Sequence, residues 1–234
     1  MANGGYACGV FAALLGRGGA EVTLRRPIPL ERPLAARRDG DGGLAVEDGG
    51  ALLAEVRPAA EMELAAPAVT GAQARAVAAR SRYYDDPVFP GCFVCGPSRA
   101  PGDGLRVFPG ALAGRGLWAA PWTPDPSVAG ADGAVRPEMV WAALDCPGGI
   151  AAGEAAALPP GAAIVLGRMT ARVAGLPRAG DDCRVVAWPG GRDGRKLAAT
   201  AALLGPAGEV LAAAATVWLT VPRSSVAAGA EASS

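Results

Sequence analysis

Two hydrophobic rhythms alternate along this chain. The first is an apolar run from Gly4 to Leu15 with no charged residue, which predicts a buried helix stopped by Gly16 and Gly18-Gly19. Shorter segments follow in which apolar and charged positions alternate: Glu21 to Arg26 (Val22 and Leu24 on one face), Leu34 to Arg38, Leu44 to Glu47 and Leu52 to Arg57. A period of two between Asp-Gly and Gly-Gly turns predicts antiparallel strands with one face on a helix and the other nearer water.

The pattern then repeats. Gly104 to Phe108 and Gly116 to Ala120 read as strands, and a second apolar helix starts near Pro137, a residue suited to a first helical turn. Beyond Pro159-Pro160-Gly161 come four longer strands, Ala163–Ala174, Cys183–Trp188, Lys196–Leu204 and Val210–Val221, rich in Val, Leu, Ala and Thr. A helix followed by four strands thus occurs twice, and the fold class expected is α+β. The division expected is a shortened N-terminal unit over 1–70, a linker helix and loop over 71–91, a C-terminal unit over 92–223, and a small-polar tail over 224–234.

Composition narrows the function classes. The 234 residues are 51% hydrophobic, enough for a sizeable core, and 22 basic side chains balance 22 acidic ones. A balanced surface has no field with which to hold nucleic acid or anionic lipid, so neither is expected as a partner. No run reaches the ~20 apolar residues of a membrane helix, and no basic stretch opens a signal peptide, which predicts a cytoplasmic chain. Five scattered cysteines predict reduced thiols rather than a disulfide framework. The chain contains no histidine, which removes Ser-His-Asp triads, Cys-His dyads and histidine metal sites together.

Carboxylate chemistry remains, and Asp145 carries it. It lies inside the apolar run Met139 to Ile150, where an ionised carboxylate costs several kcal/mol unless it is paired or kept neutral. Two roles are open. The carboxylate caps a break in its own helix, since Pro147 and Gly148-Gly149 follow at once, or it is a base whose proton affinity burial has raised. Cys92-Phe93-Val94-Cys95 is read as a packed loop leading into the second unit. A metal would need two further ligands, and Cys146 and Cys183 stand isolated in the sequence, so no metal and no cofactor is expected.

The stretch Asn3-Gly4-Gly5-Tyr6 followed by Glu21-Val22-Thr23-Leu24-Arg25-Arg26-Pro27-Ile28-Pro29-Leu30, together with Trp141-Ala142-Ala143-Leu144-Asp145, resembles the double-hotdog acyl-CoA thioesterases. The resemblance implies two hotdog units, each a long helix wrapped by a curved antiparallel sheet. It also implies a partner that is an acyl-CoA or acyl-carrier thioester. Asp145 would serve as general base or nucleophile on the thioester, the amides of Gly4, Gly5 and Tyr6 would hold the oxyanion, and Thr216 (or Thr170 or Thr200) would supply a hydroxyl. The family's glutamine on the last strands is missing, because the chain's one glutamine is Gln73. Its absence favours a rival reading, a hotdog protein that binds an acyl group or a partner without turnover. A hotdog dehydratase or hydratase is disfavoured because those enzymes commonly use a histidine. Exposed sheet edges leave pairing of two copies as a homodimer open.

Overall fold

The structure is a computed structural model that describes residues 1–16, 19–59 and 62–226. Among the described residues three helices, α1 (Gly4–Ala13), α2 (Gly71–Ala78) and α3 (Pro137–Ala155), pack on one antiparallel sheet of ten strands. The first four strands are β1 (Gly19–Leu24), β2 (Ala35–Arg38), β3 (Leu44–Asp48) and β4 (Ala51–Pro58). Then come β5 (Gly110–Leu112), β6 (Leu117–Trp122), β7 (Ala162–Val173), β8 (Cys183–Asp193), β9 (Lys196–Leu204) and β10 (Val210–Pro222).

Across the sheet the strands run β2-β3-β4-β1-β7-β10-β9-β8-β6-β5. The order carries the repeat seen in the sequence. After α1 the first strand lies beside the last of its set, giving β1-β4-β3-β2, and after α3 the same rule gives β7-β10-β9-β8. The two sets join where β1 pairs antiparallel with β7, Ala20 opposite Ala171 and Val22 opposite Met169, all four buried. A long helix laid across a curved antiparallel sheet is the α+β hotdog architecture. The outer strand β2 is exposed throughout and carries Arg37 and Arg38, charges that discourage further edge pairing.

α3 is the axis of the core. Pro137 opens it with Glu138 in the first turn, and thirteen of its nineteen residues are buried, among them Val140 and Leu144 at 0% exposure. Each such side chain contributes about 1.5–3 kcal/mol on burial. The strands beneath it are small-residue strands: Ala212, Ala213 and Ala214 of β10 and Ala201 and Ala202 of β9 are buried. A Cβ at Gly149 would stand 2.7 Å from the Trp218 ring, so glycine there is what lets helix and sheet touch.

α1 lies against α3 through two glycines one turn apart. A Cβ at Gly5 would be 2.4 Å from the Asp145 Cβ, and one at Gly9 would be 2.7 Å from the Glu138 Cα. The bare backbone of α1 therefore rests on α3 at a distance that no larger residue would allow.

Three expectations are corrected. The helix is not broken at Pro147-Gly148-Gly149 but continues to Ala155, since the amide that Pro147 lacks removes one hydrogen bond without ending a segment held on several sides. Gly104 to Phe108 is not a strand: Leu105 and Val107 are buried as the alternation requires, but their amides bond to the carbonyls of Phe93 and Val94, and Arg106 between them has φ +54°. The strand before β6 is instead Gly110–Leu112. Residues 223–226, placed partly in the tail, form a helical turn; 227–234, like Gly18 at the end of the first helix, lie outside the described residues.

Candidate functional site

The site is built where α1 begins. Asn3 caps the helix, its Oδ1 accepting the Tyr6 amide at 2.9 Å, which satisfies one of the donors a helix start leaves free. The rest of the Asn3 side chain faces the other way, and Nδ2 donates to Asp145 Oδ2 at 2.9 Å. The Gly5 amide donates to the same oxygen, also at 2.9 Å. The carboxylate of α3 is thus seated on the first turn of α1, where the helix dipole favours negative charge by about 0.3–1 kcal/mol or more.

Asp145 is 2% exposed, and among the described residues its second oxygen, Oδ1, has no hydrogen-bond partner. Burial pushes its pKa up to about 7, against the lowering pull of the Gly5 amide and the Asn3 side chain. A carboxyl group poised near neutrality can hold or release a proton during turnover, which a surface aspartate near its ordinary value cannot do as well.

The other expected site residues divide. A Cβ at Gly4 would meet Leu166 and Leu24. The Tyr6 amide is occupied by the Asn3 cap. Thr216 is buried on β10, donates to the Ala199 carbonyl at 3.2 Å and accepts Trp218 Nε1 at 2.9 Å, so its hydroxyl is engaged in holding β10 and the tryptophan. Thr170 donates to Glu21. Gln73 stands at the third position of α2 in a reciprocal capping box with Thr70. Among the arginines of this region, Arg25 pairs with Glu55, Arg168 with Glu21 and the Thr23 hydroxyl, and Arg172 with the Met62 carbonyl.

Cysteines isolated in the sequence meet in space. Cys146, next to Asp145 on α3, lies with Cys92 and Cys95, the three sulfurs all within 4.8 Å of one another and those of Cys92 and Cys146 at 3.6 Å. Asn3 Nδ2 is 4.0 Å from the Cys92 sulfur and 3.9 Å from that of Cys146. The Cys92 thiol is drawn well down, first by S–H donation from Cys146 and Cys95 and then, against burial, by the amides of Cys95 and Val94; the Cys146 thiol is pushed up by the same sharing. Cys183 stands apart on β8.

Fold and site together define a hotdog protein in which an acid of the long helix meets the amide end of a second helix. Several solved structures are similar over about half of this chain. A thioesterase from Haemophilus influenzae matches at 15% identity over 55% of this chain and 86% of its own, with a TM-score of 0.47. A phenylacetic acid degradation-related protein from Ralstonia eutropha matches at 19% identity over 53% and 93%, with a TM-score of 0.45. A thioesterase protein from Streptococcus pneumoniae, solved with coenzyme A, matches at 9% identity over 46% and 80%, with a TM-score of 0.41. No protein-family model and no curated protein matches the sequence.

Proposed function

We propose that the chain is a double-hotdog acyl thioester hydrolase in which residues 1–70 and 92–223 are the two units and Asp145 is the general base. The observation that carries this reading is the meeting of the Asp145 carboxylate with the Gly5 amide, 2.9 Å apart and contributed by helices of different units. A base and an oxyanion donor at one point are the two groups that acyl transfer to water requires.

In the ionised form Asp145 takes a proton from water as the water oxygen attacks the thioester carbonyl. The carbonyl oxygen, now negative, takes the place of the carboxylate at the Gly5 amide, with the Asn3 side-chain amide as a second donor. The C–S bond then breaks, and the departing thiolate receives the proton held by Asp145, leaving a carboxylic acid and a free thiol. One correctly aimed donor is worth roughly 3–4 kcal/mol in such a transition state. Gly5 keeps its expected role and Asn3 joins it, whereas the Tyr6 amide and the Thr216 hydroxyl are engaged with other partners. The substrate proposed is an acyl-CoA or acyl-carrier thioester, and the reduced cysteines accord with a cytoplasmic setting.

A second reading has its own support. Oδ2 of Asp145 accepts both Gly5 and Asn3, as an anion seated on a helix start would in a purely structural role, and the fold would then hold an acyl group without turnover. The test is a panel of acyl-CoA esters of graded length with release of thiol recorded for the parent and for Asp145→Asn. Release by the parent that is lost in the variant upholds hydrolysis. Saturable binding with no release by the parent overturns it in favour of the binder.

A further inference from the structure

We infer that Cys92, Cys95 and Cys146 form a binding site for one soft divalent cation of the zinc type, which pins the loop before β5 to α3 beside Asp145. The geometry fits. Zinc–sulfur bonds of about 2.3 Å in a tetrahedron place the sulfurs about 3.8 Å apart. Here the Cys92 and Cys146 sulfurs are 3.6 Å apart and the third lies within 4.8 Å of both, so closing on an ion takes shifts of an ångström or less.

The loop is shaped to present its two sulfurs. The Gly96 amide donates to the Cys92 carbonyl at 2.9 Å, folding Cys92 to Cys95 into a tight turn. A Cβ on Gly96 would stand 2.4 Å from the Cys92 carbonyl oxygen, 2.5 Å from its nitrogen and 2.6 Å from the Pro90 carbonyl oxygen, so the turn closes only around glycine. Leu105 and Val107 bond back to Phe93 and Val94 and keep the loop against the core.

The third sulfur comes from the helix, so the ion would join elements 54 residues apart in the sequence. Thiolates select soft cations over magnesium or calcium. Cys95 is buried while Cys92 and Cys146 are partly exposed, and a fourth ligand would come from solvent or from a bound molecule. Binding exchanges thiol protons for the cation, with no change of oxidation state. Asn3 Nδ2, near both outer sulfurs and bonded to Asp145, links this site to the carboxylate without being a ligand itself.

The test is titration of the reduced full chain with cobalt(II) alone, followed by displacement with zinc(II). One equivalent should bind, with thiolate-to-cobalt charge transfer in the near ultraviolet and the visible bands of a tetrahedral ion. Cys92→Ser and Cys95→Ser should each weaken uptake at least ten-fold and reduce the charge-transfer band, while Cys183→Ser should leave both unchanged; near-ultraviolet circular dichroism confirms folded variants. A parent without these bands, or bands that persist in both loop variants, overturns the site. So does a reduced parent that ignores cobalt yet loses two thiols to a mild disulfide-forming oxidant, which would mark a redox pair. The parent's own titration needs no variant to fold, and none of these outcomes bears on Asp145 as a base.

Discussion

Gly5→Ala should separate the two helices and weaken the candidate site in one stroke. The added Cβ would lie 2.4 Å from the Asp145 Cβ and 2.9 Å from the Trp141 carbonyl oxygen. Carbon atoms rest near 3.5–4.0 Å, so α1 must retreat by about 1 Å. Overpacking of this kind costs about 1–3 kcal/mol. The same retreat stretches the 2.9 Å bond from the Gly5 amide to Asp145, a bond to a charged group worth about 1.5–3 kcal/mol. Alanine's better helix propensity returns only about 0.8–1 kcal/mol. A net loss of about 1.5–5 kcal/mol follows, which in a chain of this size lowers the melting temperature by roughly 3–20 °C. Thermal and urea unfolding would be followed by circular dichroism, with Gly40→Ala as control because nothing lies within 4 Å of a Cβ there. Equal stability of the two variants would refute the close-packed seam and with it the placement of the Gly5 amide.

Further expectations concern single contacts. Asp145→Asn should lower thiol release by roughly 10²–10⁴-fold, the usual contribution of a positioned base, while Asn keeps an oxygen for the Gly5 amide and so changes stability much less than Gly5→Ala; steady-state kinetics and urea unfolding separate the two effects. Thr216→Val leaves Trp218 Nε1 without its acceptor and should cost about 1–3 kcal/mol in urea unfolding, with turnover per folded molecule unchanged. Thr70→Ala removes the capping box of α2 and should cost about 1 kcal/mol with no effect on turnover; a large catalytic loss in Gln73→Ala would instead return the chain's one glutamine to the mechanism.

Much of the architecture was legible because periodicity reports which faces are buried. Val22, Val46 and Val56 alternate with charged or small neighbours in the sequence and are all buried in the sheet, and the run Met139 to Ile150, apolar but for Asp145, lies at the centre of the core. Where the signal failed, a local event outweighed it. Arg106 adopts a left-handed backbone in the middle of an apparently alternating strand, and Pro147 sits in a helix that packing on several sides keeps intact.

The site was half legible. An acid among apolar residues marks Asp145 without any structure, since the cost of burying charge is written in the residue types around it. Asn3, the chain's one asparagine, precedes an apolar run at the position where a helix cap is favoured, so its cap could have been read, though its bond to Asp145 142 residues away could not.

What the sequence determined by itself is local: the helices, most strands, their repetition, the absence of imidazole chemistry and the one acid that burial would perturb. Only the tertiary structure decided that α1 docks on α3 through Gly5 and Gly9, that one carboxylate oxygen receives an amide from the other helix, and that Cys146 meets Cys92 and Cys95. The reason is physical. Spacing along a chain fixes which residues share a face, but contacts between faces far apart in sequence depend on how closely two backbones approach, and that is set by packing, which no single segment contains.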